Sequence, residues 1–210
     1  MNELRLYLQY WHKNSNGKTI KYRRYRSDSF VGNFFKFLYA QYGYNNPNVG
    51  VSDNAVWVNA YSENTPKTVD NEDANFYARV ATSIVAGSGI TTLGIVVGSG
   101  TTPVTINDYS LVSQIPHGTA VGQIVYAAMS GTSVTPLNTT LGNDWYYRIT
   151  RQFTNSSSSV ITINEVGLIA NFMTTSGALP CLVARDVLPT PIILNPNDHT
   201  TIQYTIRLTI

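Results

Sequence analysis

Leu4-Arg5-Leu6-Tyr7-Leu8-Gln9-Tyr10-Trp11 alternates without interruption. Leu4, Leu6, Leu8 and Tyr10 fall on one side, and Arg5, Tyr7, Gln9 and Trp11 on the other. A period of two marks an extended strand with one face buried, because successive Cβ atoms leave a pleated chain in opposite directions. Asn14-Ser-Asn-Gly-Lys18 follows, and its Asn-Gly pair suits a tight hairpin turn. Residues 18–26 then read as the return strand, with Ile20, Tyr22 and Arg24 on one face. At the far end, Thr200–Ile210 alternates again, gathering Ile202, Tyr204, Ile206, Leu208 and Ile210.

The same signal recurs between these ends. Ala55–Tyr61, Phe76–Ala86, Ile90–Val97, Gly122–Met129, Trp145–Thr154, Val160–Ala170 and Leu179–Leu188 read as strands. Gly87-Ser-Gly89, Gly98–Pro103 and Ser156–Ser159 read as turns between them. Pro189 and Pro191 interrupt the Leu179 strand and fit an edge or a crossing between sheets. Thr65–Glu72 is a polar connection. A short helical turn is predicted over Ile106–Ile115, where Asn107 or Asp108 can cap it. Short strands at this spacing predict a mainly β chain, an antiparallel and jelly-roll-like β-sandwich.

One amphipathic helix is expected outside the sandwich. Ser27 or Asp28 can cap it, and Phe30, Val31, Phe34, Phe35, Leu38 and Tyr42 recur at spacings of three and four. Phe37 and Tyr39 widen the stripe, and Gly43 can end the helix. Residues 1–43 are therefore expected to form an assembly anchor of basic hairpin plus helix, and residues 44–210 the sandwich domain.

Composition narrows the function. Charged residues make up 12% of the 210 residues, against roughly 25% in an average soluble domain. Fourteen Tyr, seven Phe and three Trp exclude a disordered chain. The single Cys181 excludes an internal disulfide, and its apolar neighbours predict burial. The first residues lack the basic-then-apolar pattern of a secretory signal, and no apolar run reaches the length of a membrane span. Charge is uneven: residues 1–40 carry a net +6 and the remainder −4. A basic leading segment can pair with the body of a neighbouring copy or face nucleic acid.

Sites of reaction chemistry are sparse. His12, His117 and His199 each stand apart, without metal-ligand spacing, and no cofactor or metal site is expected. The glycine-rich 87–91 and 98–102 segments lack the Lys of a phosphate loop. Glu165 and Asp186 lie in strands near Arg148, Arg151 and Arg185. They read first as a structural ion pair of Glu165, Arg185 and Asp186 pinning two strands, and second as a glycosidase-like carboxylate pair. The densest feature is Lys18-Thr-Ile-Lys21-Tyr-Arg23-Arg24-Tyr-Arg26. Lys21, Arg23, Arg24 and Arg26 between tyrosines can grip an acidic partner subunit, lie as a solvated face, or contact nucleic acid, in that order of preference.

A resemblance joins these pieces. Gly94-Ile-Val-Val-Gly-Ser-Gly-Thr-Thr-Pro103, Asp108-Tyr-Ser-Leu111 and Ile115-Pro-His-Gly118 come in order. They are followed by Tyr147-Arg-Ile-Thr-Arg-Gln-Phe-Thr-Asn155, Ile163-Asn-Glu-Val-Gly-Leu168, Ala184-Arg-Asp-Val-Leu188 and Thr205-Ile-Arg-Leu-Thr209. The set resembles small structural proteins of tailed bacterial and archaeal viruses. The resemblance covers residues 94–210 and implies a β-sandwich component of the virion without catalysis, made in the host cytoplasm. The expected partners are copies of itself, in a homo-oligomer, and other virion proteins. Lys21, Arg23, Arg24, Arg26, Phe30, Phe34, Phe35, Phe37, Leu38 and Tyr42 are the expected contact residues. The expected place is the capsid, as a decoration, stabilising or minor capsid subunit. The alternatives are a tail, collar or baseplate component, or a module binding host-surface carbohydrate through Trp57 and Trp145.

Overall fold

The fold was obtained as a computed structural model. It describes residues 3–27, 29–35, 56–59, 66–69, 84–139, 142–174 and 177–209. Eleven strands follow one another: β1 Glu3–Lys13, β2 Thr19–Ser27, β3 Val56–Asn59, β4 Pro66–Val69, β5 Gly94–Gly98, β6 Val125–Tyr126, β7 Ser130–Thr139, β8 Gly142–Thr154, β9 Ile161–Thr174, β10 Gly177–Leu194 and β11 His199–Thr209. One sheet has the order β2-β1-β11-β8-β6, with β7 also on β8, and a second has the order β10-β9-β5. Every ladder is antiparallel. β3 and β4 form a separate two-stranded ribbon. The chain is thus mainly β and sandwich-like, as the alternation predicts.

The core lies between the two sheets. Leu6, Leu8 and Tyr10 of β1 are at most 1% exposed and join Ile149, Phe153, Ile202 and Tyr204 in one apolar cluster with Ile163, Val166, Leu168 and Leu182. Burial of these side chains is the main favourable term, at about 1.5–3 kcal/mol for each fully buried large residue.

The hairpin expected to stand apart as an anchor is part of this sandwich. β1 pairs with β11 along its whole length, from Glu3↔Thr209 to Lys13↔His199. Almost two hundred residues separate the two strands, so the alternation identifies each strand but not its neighbour. The boundary drawn at residue 43 therefore divides a continuous sheet.

Other expectations shift locally. The expected helix shows one described turn, residues 32–35; Phe37, Leu38, Tyr42 and the rest of that stripe lie outside the described residues. So does most of the strand expected over 76–86. No helix forms over 106–115. Asp108 instead accepts hydrogen bonds from the Thr105 amide (3.0 Å) and hydroxyl (2.7 Å), the same chemistry closing a turn. Residues 130–139 form β7 along the edge of β8. Within 65–72, Pro66–Val69 pairs as a strand rather than running as a connection. β10 runs through Pro189 and Pro191, because a register shift between Val187 and Ile192 absorbs them on an edge strand.

Deleting residues 1–27 removes both strands on one side of β11 and uncovers the core beneath β1. The truncated chain is expected to lose its cooperative thermal transition in circular dichroism. A truncated protein with an intact β spectrum and a sharp melt would show that the hairpin is dispensable.

Candidate functional site

Three kinds of site emerge from the register: buried charge clusters, a phenylalanine cluster and a basic sheet face. Glu165 on β9 is fully buried. Its carboxylate accepts from the amides of Gly100 (3.1 Å), Val112 (3.2 Å) and Ser113 (2.8 Å), and from Arg185 Nε (2.8 Å). Arg185 also donates to Asp108 Oδ2 (2.7 Å) and to the carbonyl of Thr102 (2.9 Å). A buried ion is tolerated only when its lone pairs and protons find partners, and here they do. Burial opposes ionisation of Asp108, but donors from Thr105 and Arg185 outweigh it and hold the carboxyl below its ordinary range. The cluster fastens the irregular segment after β5 onto β9 and β10. A Cβ at Gly98 or Gly100 would come within 2.5 Å of Glu165 Oε1, which gives both glycines of that motif a packing reason.

Asp186 does not belong to this cluster. Neighbouring residues on a strand face opposite ways, so Arg185 meets Glu165 while Asp186 turns to the other sheet. There it accepts from Tyr204 Oη (2.7 Å), Ser27 Oγ (2.9 Å) and Ser29 Oγ (2.8 Å). Burial and the adjacent carboxylate push the Tyr204 phenol well above its usual value. The expected three-residue ion pair is therefore Glu165 with Arg185, joined by Asp108. Glu165 and Asp186 lie on opposite faces of their sheet and do not form a facing carboxylate pair.

Arg151 is the largest fully buried side chain. Its five N–H groups reach five backbone carbonyls: Ala127 (2.8 Å), Leu93 (3.2 Å), Ile95 (2.9 Å), Gly87 (3.0 Å) and Ile90 (2.7 Å). Five donors are all a guanidinium has. Burial lowers its pKa to about 10. It holds the 87–95 segment and the end of β6 against β8. At one end of the sandwich His12 Nε2 donates to Asp198 Oδ2 (3.2 Å), and Asn155 donates to the carbonyls of Ser159 and Leu194. His117 accepts the Tyr126 amide on Nδ1 (3.1 Å), and Cys181 is buried as expected.

The phenylalanines sit by the β10 edge. Val31 N–H donates to the Val183 carbonyl (3.1 Å) and Arg185 N–H to the Ser29 carbonyl (3.1 Å), which docks residues 29–31 on β10. Phe30 and Phe34 stack at 3.9 Å between ring centroids, and Phe34 meets Phe35 edge-on at 5.6 Å. The Gly32 amide reaches the Ile106 carbonyl (2.7 Å), where a Cβ would crowd the oxygen. Phe35 and Ile106 remain 56% and 57% exposed.

Pairing divides the basic stripe of β2. Lys21 and Arg23 pair with the inward-facing His12 and Tyr10 and lie at the rim of the inner face. Arg24 and Arg26 pair with the outward Gln9 and Tyr7. Continued across β1, β11 and β8, the outer face carries the rows Arg26-Tyr7-Thr205-Arg148, Arg24-Gln9-Gln203-Thr150, Tyr22-Trp11-Thr201-Gln152 and Arg5-Arg207-Tyr146, flanked at one end by the register row Glu3-Thr209-Asp144 and at the other by Lys13-His199-Thr154. Arg148 thus faces outward, far from the Glu165 cluster. The sequence placed Arg5 and Trp11 on one side of β1 and Arg148 near Glu165, and it did not single out Arg207 or Tyr146; only register brings these five beside Arg24 and Arg26.

Glu165→Gln removes the charge opposite Arg185, and Arg151→Met strands five carbonyls. Each is expected to lower the free energy of unfolding by about 3 kcal/mol or more, read by urea denaturation. Losses under about 1 kcal/mol would contradict these structural roles. Comparison with family models, with curated proteins and with solved structures finds no match to this chain.

Proposed function

We propose that the chain is a non-catalytic structural subunit of a tailed-virus particle, a capsid-associated protein that works by assembling with copies of itself and with other virion proteins. The observation that carries this reading is the use of the charged groups inside the resembling segment. Arg151, Glu165, Arg185 and Asp108 are held by one another and by backbone groups, in a pattern that builds a rigid block. These groups are committed to holding backbone and one another, which is a structural use of charge.

The surface supports the same reading. Phe35 and Ile106 lie exposed beside the edge strand β10, next to the stacked Phe30 and Phe34. Large rings on a docked and rigid segment bury much area at low entropic cost, which is the chemistry of contact hot spots. Ile193, exposed on β10, extends the apolar character along that edge.

Phe35→Glu places a charge in this patch without touching the core, so its thermal midpoint should match that of the parent protein. Analytical ultracentrifugation is expected to show an oligomer for the parent and a monomer for the variant, and antibodies to the chain should label intact particles. A parent protein that stays monomeric at high concentration and is missing from purified particles would overturn the proposal.

A further inference from the structure

We propose that the free edge of β2 takes up an extended acidic segment of another protein as an added strand. This names a kind of partner for the assembly reading and rests on it. Among the described residues β2 ends the larger sheet, with β1 on one side and no strand on the other. Its pairing with β1 runs without a break from Leu6↔Ser27 to His12↔Lys21. The strand contains neither Pro nor Gly. In an antiparallel edge strand, alternate residues turn their N–H and C=O groups away from the neighbour. The edge of β2 therefore presents donors and acceptors at the spacing of a ladder.

The side chains of β2 specify what the added strand must carry. Lys21 and Arg23 lie on the inner-facing rim, opposite His12 and Tyr10, while Tyr22 and Arg24 lie on the outer face, opposite Trp11 and Gln9. Arg23 donates to the Tyr22 carbonyl (2.9 Å) and Arg24 lies over the Tyr7 ring at 4.5 Å. Neither of these arginines, nor Lys21, forms an ion pair with a described residue. Tyr22 is 45% exposed and is backed by the Trp11 ring at 5.5 Å. Ile20, at the bulge beside it, is 51% exposed. An edge kept clear of neighbours by charge alone would not display a large apolar side chain and a ring between its cations. A strand that alternates acidic with apolar residues answers both features. Its carboxylates would stand opposite Lys21 and Arg23, and its apolar side chains opposite Tyr22.

A second copy of β2 is a poor occupant. Pairing the strand with itself brings two basic strands about 4.8 Å apart, and like charges across a ladder repel. The chain's own carboxylates with described side chains are held inside it: Asp108 and Glu165 by Arg185, Asp186 by Tyr204, Ser27 and Ser29, and Asp198 by His12. Glu3 and Asp144 stand in the row at the far end of the sheet from Lys21 and Arg23. The occupant that fits the edge is a different protein, bringing an acidic strand of its own. In strand addition the main-chain bonds supply affinity, and the alternating side chains supply the choice of partner.

The test uses the full chain and a fluorescein-labelled peptide of about nine residues in which Glu alternates with Val and Tyr. Anisotropy is expected to give a Kd of about 10–100 μM. Amide hydrogen exchange should slow at every second residue of β2 when the peptide is present, with β11 unchanged. Two N-methylated peptides, one for each set of alternate residues, keep the charge but each loses one row of donors. One of the two should bind about 10-fold more weakly or worse. The double variant Lys21→Glu, Arg23→Glu should weaken binding about 10-fold or more, at an unchanged thermal midpoint. Absence of binding overturns the proposal, as does binding that leaves β2 exchange unaltered or ignores the double variant. If neither N-methylated peptide is weakened, the edge reads charge alone, which also overturns it. The Phe35→Glu variant should bind the peptide as the parent does, so failure of the assembly reading and failure of this one can be told apart.

Discussion

A carboxylate buried inside a sheet must collect donors or lose its charge, and Glu165 collects four. That constraint shapes much of the described molecule. Residues 84–128 contain only β5 and β6 as strands, so most of their backbone groups cannot be satisfied by ladders. Glu165 takes amides from this segment, and Arg185 and Arg151 donate to its carbonyls. The two arginines and the glutamate act as fixed pegs around which an irregular chain is wound. Replacing such groups by apolar ones of the same shape need not weaken a protein, so their value here lies in specifying one path for the loops.

With the loops fixed, the sandwich presents two different exteriors. The 99–113 segment and the phenylalanine turn cover the β10-β9-β5 sheet and leave an apolar patch at Phe35 and Ile106. The outer face of the larger sheet is polar, with Arg24, Arg26, Arg148, Arg5 and Arg207 in adjacent rows and Glu3 and Asp144 in the row beyond. The pairing of β1 with β11 closes the ends of the chain into the same sheet, so neither face is carried on a detachable arm.

Much of the fold was legible because burial on one face writes itself as alternation. β1 and β11 show that period plainly. β7 does not: Ser130-Gly-Thr-Ser-Val-Thr-Pro carries little apolar content, and an edge position demands none. The helix expected at 106–115 rested on capping residues that serve turns equally well. The pair Glu165 and Arg185 was legible from their strands, whereas Asp186 was misassigned by ignoring that adjacent strand residues point apart. The basic face was visible only in its β2 portion. Arg5, Arg148 and Arg207 stand in three strands distant in sequence, and nothing short of register unites them.

The account turns on buried charge organising irregular backbone, and amide hydrogen exchange measures this most directly. The amides of Gly100, Val112 and Ser113 lie outside any ladder yet donate to Glu165. They are expected to exchange as slowly as amides of the central strands β9 and β11. Exchange at the rate of an open loop would contradict the central claim.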